Sequence, residues 1–287
     1  MLNKESNILI VGLGLMGGSY AAALSAKGYT VRALSLEQRS IDFALARGWI
    51  KEGGTRPDAA LVSTADIIVC ALYPHTFMEW VETNQHLFKS GALLTDVTGV
   101  KGAVVNKVQS LLREDVEFIA AHPMAGRERS GVENAEPKIF QGANYIVVPT
   151  EKNTGLAIET CKYLGEVLGF GTISELSPEE HDNMIAFLSQ LTHCIAVALM
   201  NAGDDEGLVK YTGDSFRDLT RIAKINDEMW SELFLINRRA LLEQMDKFRA
   251  AFDALEQTIR DGDREEMRNM MRLSTQRRGW FDVKKQK

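Results

Sequence analysis

The segment Gly12-Leu-Gly14-Leu-Met-Gly17 constrains this chain more than any other because of what flanks it. Before it runs Asn7-Ile-Leu-Ile-Val11, β-branched and without polar alternation, the pattern of a strand buried on both faces. After it, Ser19 to Lys27 is small, Ala-rich and helical, and Gly28 ends it. Strand, glycine turn and helix in this order predict a dinucleotide-binding turn. Gly12 permits the tight turn, Gly14 lets backbone approach a diphosphate, and Gly17 lets helix and strand pack closely. The free N–H groups and macrodipole of the helix N-terminus would face the phosphates. The alternative is a glycine turn that serves packing alone.

At 287 residues the chain can bury a real core and is long enough for two domains. A formal charge of −6 argues against nucleic acid or an anionic membrane as a partner, so an anionic substrate needs a local basic pocket. Cys70, Cys161 and Cys194 sit in apolar settings without metal spacing, which predicts buried free thiols, no bound metal and a reducing cytoplasm. The polar start, Met1 to Asn7, gives no signal peptide, and no apolar run reaches the roughly 18 residues of a membrane span.

Strand and helix patterns alternate to about residue 175. Strands are expected at Thr30 to Ser35, Asp66 to Leu72, Ala92 to Thr95, Val116 to Ala120, Asn144 to Val148 and Gly171 to Ser174. Helices are expected at Ser40 to Arg47, Lys101 to Leu112 and Thr154 to Leu168. This predicts an α/β, doubly wound, mainly parallel sheet over residues 1–175, with ligands beyond the carboxyl ends of its strands. The character then changes at Ser177-Pro178-Glu179-Glu180, a helix start with Ser177 as cap and Glu180 closing a capping box. Residues 176–287 read as all-α: Glu179 to Asn201, Phe216 to Ala223, Asp227 to Ile259 with a break, and Arg264 to the end. Helices as apolar as Ile185 to Met200 need neighbours on several sides, so this half is expected to form a homodimer as well as a substrate domain.

His122, followed by Pro123 and Gly126, falls just past a strand and is expected at a loop mouth on the active edge, where an imidazole suits proton transfer. Ser189 and His193 are four apart on an apolar helix, either satisfied core groups or pocket lining. Arg221 needs a carboxylate, which is either Asp218 at i−3 or a substrate. Trp230 reads as core.

The segments GLGLMGGS (Gly12 to Ser19), DVTGVK (Asp96 to Lys101), HPMAGRERSG (His122 to Gly131), EHD (Glu180 to Asp182), SQLTH (Ser189 to His193) and DLTRIA (Asp218 to Ala223) occur in the order of the prephenate and arogenate dehydrogenases of tyrosine biosynthesis, and the chain resembles that family from residue 7 to about 240. The resemblance implies a dinucleotide-binding (Rossmann) domain, a helical dimerisation domain, and oxidative decarboxylation of a small anionic cyclohexadiene. It implies that His122 hydrogen-bonds the substrate hydroxyl as base, Arg221 binds a carboxylate, and His193, with Ser189, lies at the side chain. It also implies cofactor contacts from Leu15, Met16, Leu72 and Thr98 beside the three glycines.

Departures from the family pattern matter as well. Gly99 stands where a serine is common, so Thr98 is the expected stand-in hydroxyl, and Gln190 and Thr192 replace a common His and Pro. Arg127 puts an extra cation after HPMAG, which favours doubly anionic prephenate over arogenate. No regulatory ACT domain or chorismate mutase segment is expected within this length. Where an NAD enzyme ends its second strand with an acid, this chain has Ser35, with Arg39 in reach of a 2′-phosphate, so NADP is expected over NAD. Two rivals remain: a β-hydroxyacid dehydrogenase-like reductase, whose catalytic lysine the helix Glu179 to Asn201 lacks, and a dinucleotide-sensing module.

Overall fold

The computed structural model describes residues 2–127 and 129–282, in two compact units, Met1–Arg238 and Arg239–Lys287. The first begins with β1 (Asn7–Val11), α1 (Leu15–Ala26), β2 (Thr30–Leu34), α2 (Gln38–Ala46), β3 (Glu52–Gly54), α3 (Ala59–Val62), β4 (Ile67–Cys70), α4 (Pro74–Asn84), β5 (Leu93–Asp96), α5 (Gly102–Leu111) and β6 (Glu117–Phe118). Their strands form a six-stranded, all-parallel sheet in the order β3-β2-β1-β4-β5-β6. The order reverses between β1 and β4, and the crevice beyond the carboxyl ends there is where such sheets take ligands. Ile8, Leu9 and Ile10 are all buried, as expected of a strand covered on both faces.

Two elements lack a sequence signal. β3 is three residues of Glu-Gly-Gly with no apolar side chain to mark it. At α4, Tyr73 gives no capping hydrogen bond, so Pro74 alone announces the start.

The expected single sheet is in fact two. After β6 the chain turns into β7 (Ala120–Met124), which pairs antiparallel with β8 (Asn144–Val148); β8 pairs parallel with β9 (Thr172–Glu175) across α6 (Gly155–Leu168). The division falls where Asp96, at the end of β5, accepts the Ala121 N–H at 3.1 Å and ends the strand ladder. His122 therefore lies within β7, opposite Ile146, and not on a loop.

The capping box forms as expected: Glu180 N–H donates to Ser177 Oγ, and Ser177 N–H to Glu180 Oε2. It starts α7 (Pro178–Ile185), which continues through a widened π-helical turn, Ala186–Leu191, into α8 (Thr192–Asn201). The whole, Pro178–Asn201, has 24 residues and is by length and composition long and apolar enough to cross a membrane. This corrects the expectation that no such stretch exists: Ser189, Gln190 and His193 interrupt the apolar run without bringing charge, so the average stays high. Among its side chains, Phe187, Leu188, Leu199 and Met200 are exposed.

α9 (Asp214–Thr220) and α10 (Asp227–Ile236) complete the first unit, and α10 lies beside the start of α4 and the turn before α5. Leu233 is buried in the cluster that holds Phe77, Val100 and Val104, and Glu232 accepts the His75 N–H at 2.6 Å at the start of α4. The second unit is built from α11 (Arg238–Asp261) and α12 (Arg264–Arg278). Residues 283–287 of the last expected helix lie outside the described residues.

Candidate active site

Gly12 and Gly17 have the steric tasks their spacing assigns. Gly12 has φ +97°, and a Cβ there would sit 2.4 Å from the Ala71 carbonyl oxygen, so no other residue fits. A Cβ on Gly17 would lie 1.8 Å from the Gly12 carbonyl oxygen, which is the close helix–strand approach itself. Around Gly14 a Cβ would meet nothing within 4 Å, so space for a ligand opens there. No side chain caps α1 and its first turn has no acid, leaving its N–H groups and positive end to a diphosphate. These features fit an NAD(P) diphosphate.

The other expected cofactor residues gather at the same edge. Leu15 and Met16 form the first turn of α1, and Leu72, just past β4, approaches to 3.0 Å of the Gly12 Cβ position. Ser35 follows β2, its N–H bonded to the Gly54 carbonyl. Arg39 is exposed and ion-paired to Glu37 at 2.9 Å.

Beyond β5 lies a fully buried ion pair, Lys101 Nζ to Asp96 Oδ2 at 2.6 Å. Thr98, expected as a free hydroxyl, is committed here: its Oγ1 donates to Asp96 and accepts from Lys101 Nζ at 3.1 Å. It has no hydrogen left for His122, so the stand-in role for the missing serine is not met by this side chain. The vacant place is nonetheless beside the imidazole, since a Cβ on Gly99 would be 3.9 Å from His122 Cε1 and 3.5 Å from Leu233.

His122 Nδ1 lies 2.9 Å from His181 Nε2, and His181 Nδ1 lies 2.8 Å from Asp182 Oδ1. Asp182 in turn accepts the N–H groups of Lys101 and Gly102, each at 2.8 Å, at the start of α5. A Cβ on Gly102 would come to 3.0 Å from Asp182 Oδ2, so the glycine admits the carboxylate. Burial, His181 and the Lys101 ammonium hold His122 well below the ordinary imidazole pKa, and burial lowers His181 too, against the pull of Asp182. His122 is therefore a neutral imidazole near pH 7, the form a base requires.

Across from it, Gln190 fixes the π turn to α10. Its Nε2 donates to the Leu233 carbonyl at 3.0 Å and its Oε1 accepts from Asn237 at 2.8 Å, which gives the departure at position 190 a structural task. Ser189 lies in this π turn, a widened helical form that recurs at functional sites, and its carbonyl accepts from His193 Nδ1 at 2.9 Å. The His193 ring stacks on Trp230 at 3.7 Å, so Trp230 is a partner of His193 and not simply core. Arg221, itself exposed, opens the turn Arg221–Ala223, which packs against α8, the helix that carries His193. Arg127, expected as a cation toward substrate, pairs with Glu136 at 2.9 Å, and Glu136 N–H donates to Ser19 on α1.

His181, Asp182, Lys101 and Asp96 were given no chemical role from sequence. The available signal was a His-Asp pair directly after a capping box, at the head of an apolar helix.

A family model described as "Prephenate dehydrogenase, nucleotide-binding domain" matches residues 20–170, and one described as "Prephenate dehydrogenase, dimerization domain" matches residues 177–273. Prephenate dehydrogenase of Lactococcus lactis is 32% identical over 88% of this chain and 72% of its own length. The crystal structure of prephenate dehydrogenase from A. aeolicus in complex with hydroxyphenyl propionate and NAD+ superposes with a TM-score of 0.89 at 30% identity, covering 98% of this chain and 100% of that one. Synechocystis arogenate dehydrogenase superposes with a TM-score of 0.83 at 28% identity, covering 96% and 99%. With the glycine turn, the neutral imidazole and both halves of the chain matched, the chain belongs to the prephenate dehydrogenase family of NAD(P)-dependent oxidoreductases.

Proposed function

We propose that the chain converts prephenate to 4-hydroxyphenylpyruvate by oxidative decarboxylation. The observation that carries this reading is His122 on β7, its Nδ1 2.9 Å from His181 Nε2, in a chain whose N-terminal half is a dinucleotide-binding fold. NAD(P), when bound, accepts a hydride from the carbinol carbon. His122 takes the hydroxyl proton. Loss of CO2 then aromatises the ring, and the phenolic oxygen recovers that proton, because the overall change removes one hydride and CO2 and no net proton. His122 ends as it began, ready for the next turnover.

Arg221 clamps a substrate carboxylate with charge-assisted hydrogen bonds, while Ser189 and His193, with Trp230 behind it, meet the side chain. Relatives named for prephenate support that substrate, and the arogenate dehydrogenase among the structural relatives supports arogenate as the second reading. The cofactor reading is NADP: position 35 offers a hydroxyl in place of an acid, and the exposed Arg39 is the nearby cation, although it is already paired with Glu37. Initial rates with prephenate and arogenate, each with NAD and NADP, test all of this. The highest kcat/KM is expected for prephenate with NADP, and a preference for arogenate or NAD would overturn the corresponding part.

The same reading makes the protein a cytoplasmic homodimer joined through helices after residue 177. Exposed Phe187, Leu188, Leu199 and Met200 and the family's dimerization model support the dimer, and free thiols at Cys70, Cys161 and Cys194 support a reducing compartment. Light scattering that gives the 31.9 kDa monomer at micromolar concentration would exclude the dimer.

A further inference from the structure

We infer that His181 and Asp182 are positioning residues that lock His122 in the tautomer with its proton on Nδ1 and its lone pair on Nε2. The argument starts at the carboxylate. Asp182 already accepts two backbone N–H groups, from Lys101 and Gly102, and an ionised carboxylate has no hydrogen to give. At 2.8 Å its third neighbour, His181 Nδ1, must be an N–H donor. A neutral imidazole protonated on Nδ1 has a bare Nε2, so at 2.9 Å His181 Nε2 accepts and His122 Nδ1 donates. Nε2 of His122 is then the atom left to take a proton. One carboxylate thus removes the tautomeric freedom of two rings.

His122 stands opposite Ile146 of β8, with His181 of α7 at its Nδ1 and the Lys101 ammonium acting on it, and that ammonium is itself bonded to Asp96. Since the reaction releases no net proton, the ladder has no proton to carry away, and its task is orientation. A base held by a second group that is itself held by a third is how orientation raises rate elsewhere.

This inference rests on His122 being the base, and the experiment separates the two. His181→Phe removes the acceptor while leaving Asp182 on the start of α5, so it tests the ladder without removing that cap; Asp182→Asn removes the charge that sets the order. Expected for His181→Phe is a loss in kcat of at least about tenfold, with KM for prephenate within about threefold. His181→Gln, whose amide oxygen can accept the Nδ1 hydrogen, should recover much of the loss. In 15N-histidine spectra of the whole enzyme, which has five histidines, the His122 signals should report a protonated Nδ1 and a bare Nε2. Asp182→Asn should disturb that assignment. A His181→Phe enzyme with near wild-type kcat, or a wild-type His122 protonated on Nε2, overturns the inference. Full activity in His122→Asn overturns the base assignment itself.

Discussion

The glycine turn follows β1 of the parallel sheet, and the imidazole cluster gathers past β5, where the second sheet begins; the two are made by opposite means. The turn lies within six consecutive residues and works by what is missing: three Cβ atoms, two of which would overlap backbone. In the cluster, His122, His181, Asp182, Lys101 and Asp96 come from three separate segments and work by what each side chain does for the next. Binding a diphosphate needs backbone and space, which local sequence can encode. Holding a proton acceptor in one orientation needs several polar groups in a dry place, which only folding can assemble.

The sharpest way to break that contrast is His122→Asn, which should leave cofactor binding intact and lower kcat by roughly 10² to 10⁴. Equal losses in cofactor affinity and kcat would merge the two regions into one. Next in size is Arg221→Ala. If the guanidinium holds a carboxylate equally in ground and transition states, KM for prephenate should rise at least about a hundredfold with kcat changed far less. A lower melting temperature with KM unaltered would return Arg221 to a structural pairing.

The glycines offer an internal control. Gly17→Ala forces a Cβ against the Gly12 carbonyl and should cost about 1 to 3 kcal/mol of stability. Gly14→Ala enters open space, so its melting temperature should stay close to wild type while the cofactor titrates more weakly. Equal melting temperatures for both variants would refute the division of labour within the turn.

A smaller effect concerns pH. His122 and His181 both have pKa values lowered in the fold, so below the usual value near 6.5 the unfolded chain binds protons that the native one refuses. Stability should therefore decline as pH falls through that range, and the acid limb of kcat/KM should lie below pH 6.5. An acid limb at or above 6.5 would mean that burial and Lys101 do not govern His122.

Much of this was legible in the chain. Periodicity marked β1, β2, α6 and β8, the Ser177–Glu180 box fixed where α7 begins, and the order of motifs pointed to one family. The sequence singles out His122 but predicts it on a loop, whereas it lies within β7. Residues 116 to 124 read as one strand and its exit, and nothing local says that a carboxylate at residue 96 will take the Ala121 N–H and divide the sheet. The partners of Thr98 and Arg127 were hidden for a related cause, since a polar side chain looks available until those partners, Asp96 with Lys101 and Glu136, are known.

What the sequence determined by itself was therefore whatever depends on neighbours along the chain: buried strands, caps, the glycine turn and the two-part α/β and α architecture. What the tertiary structure alone decided was the state of the site. His122 and His181 are 59 positions apart, and nothing periodic in the chain between them signals that they will meet at 2.9 Å. Their protonation follows from burial beside Lys101 and from the hydrogen bonds Asp182 already accepts. Pairing of this kind depends on through-space distance and desolvation, and neither is a property of local sequence.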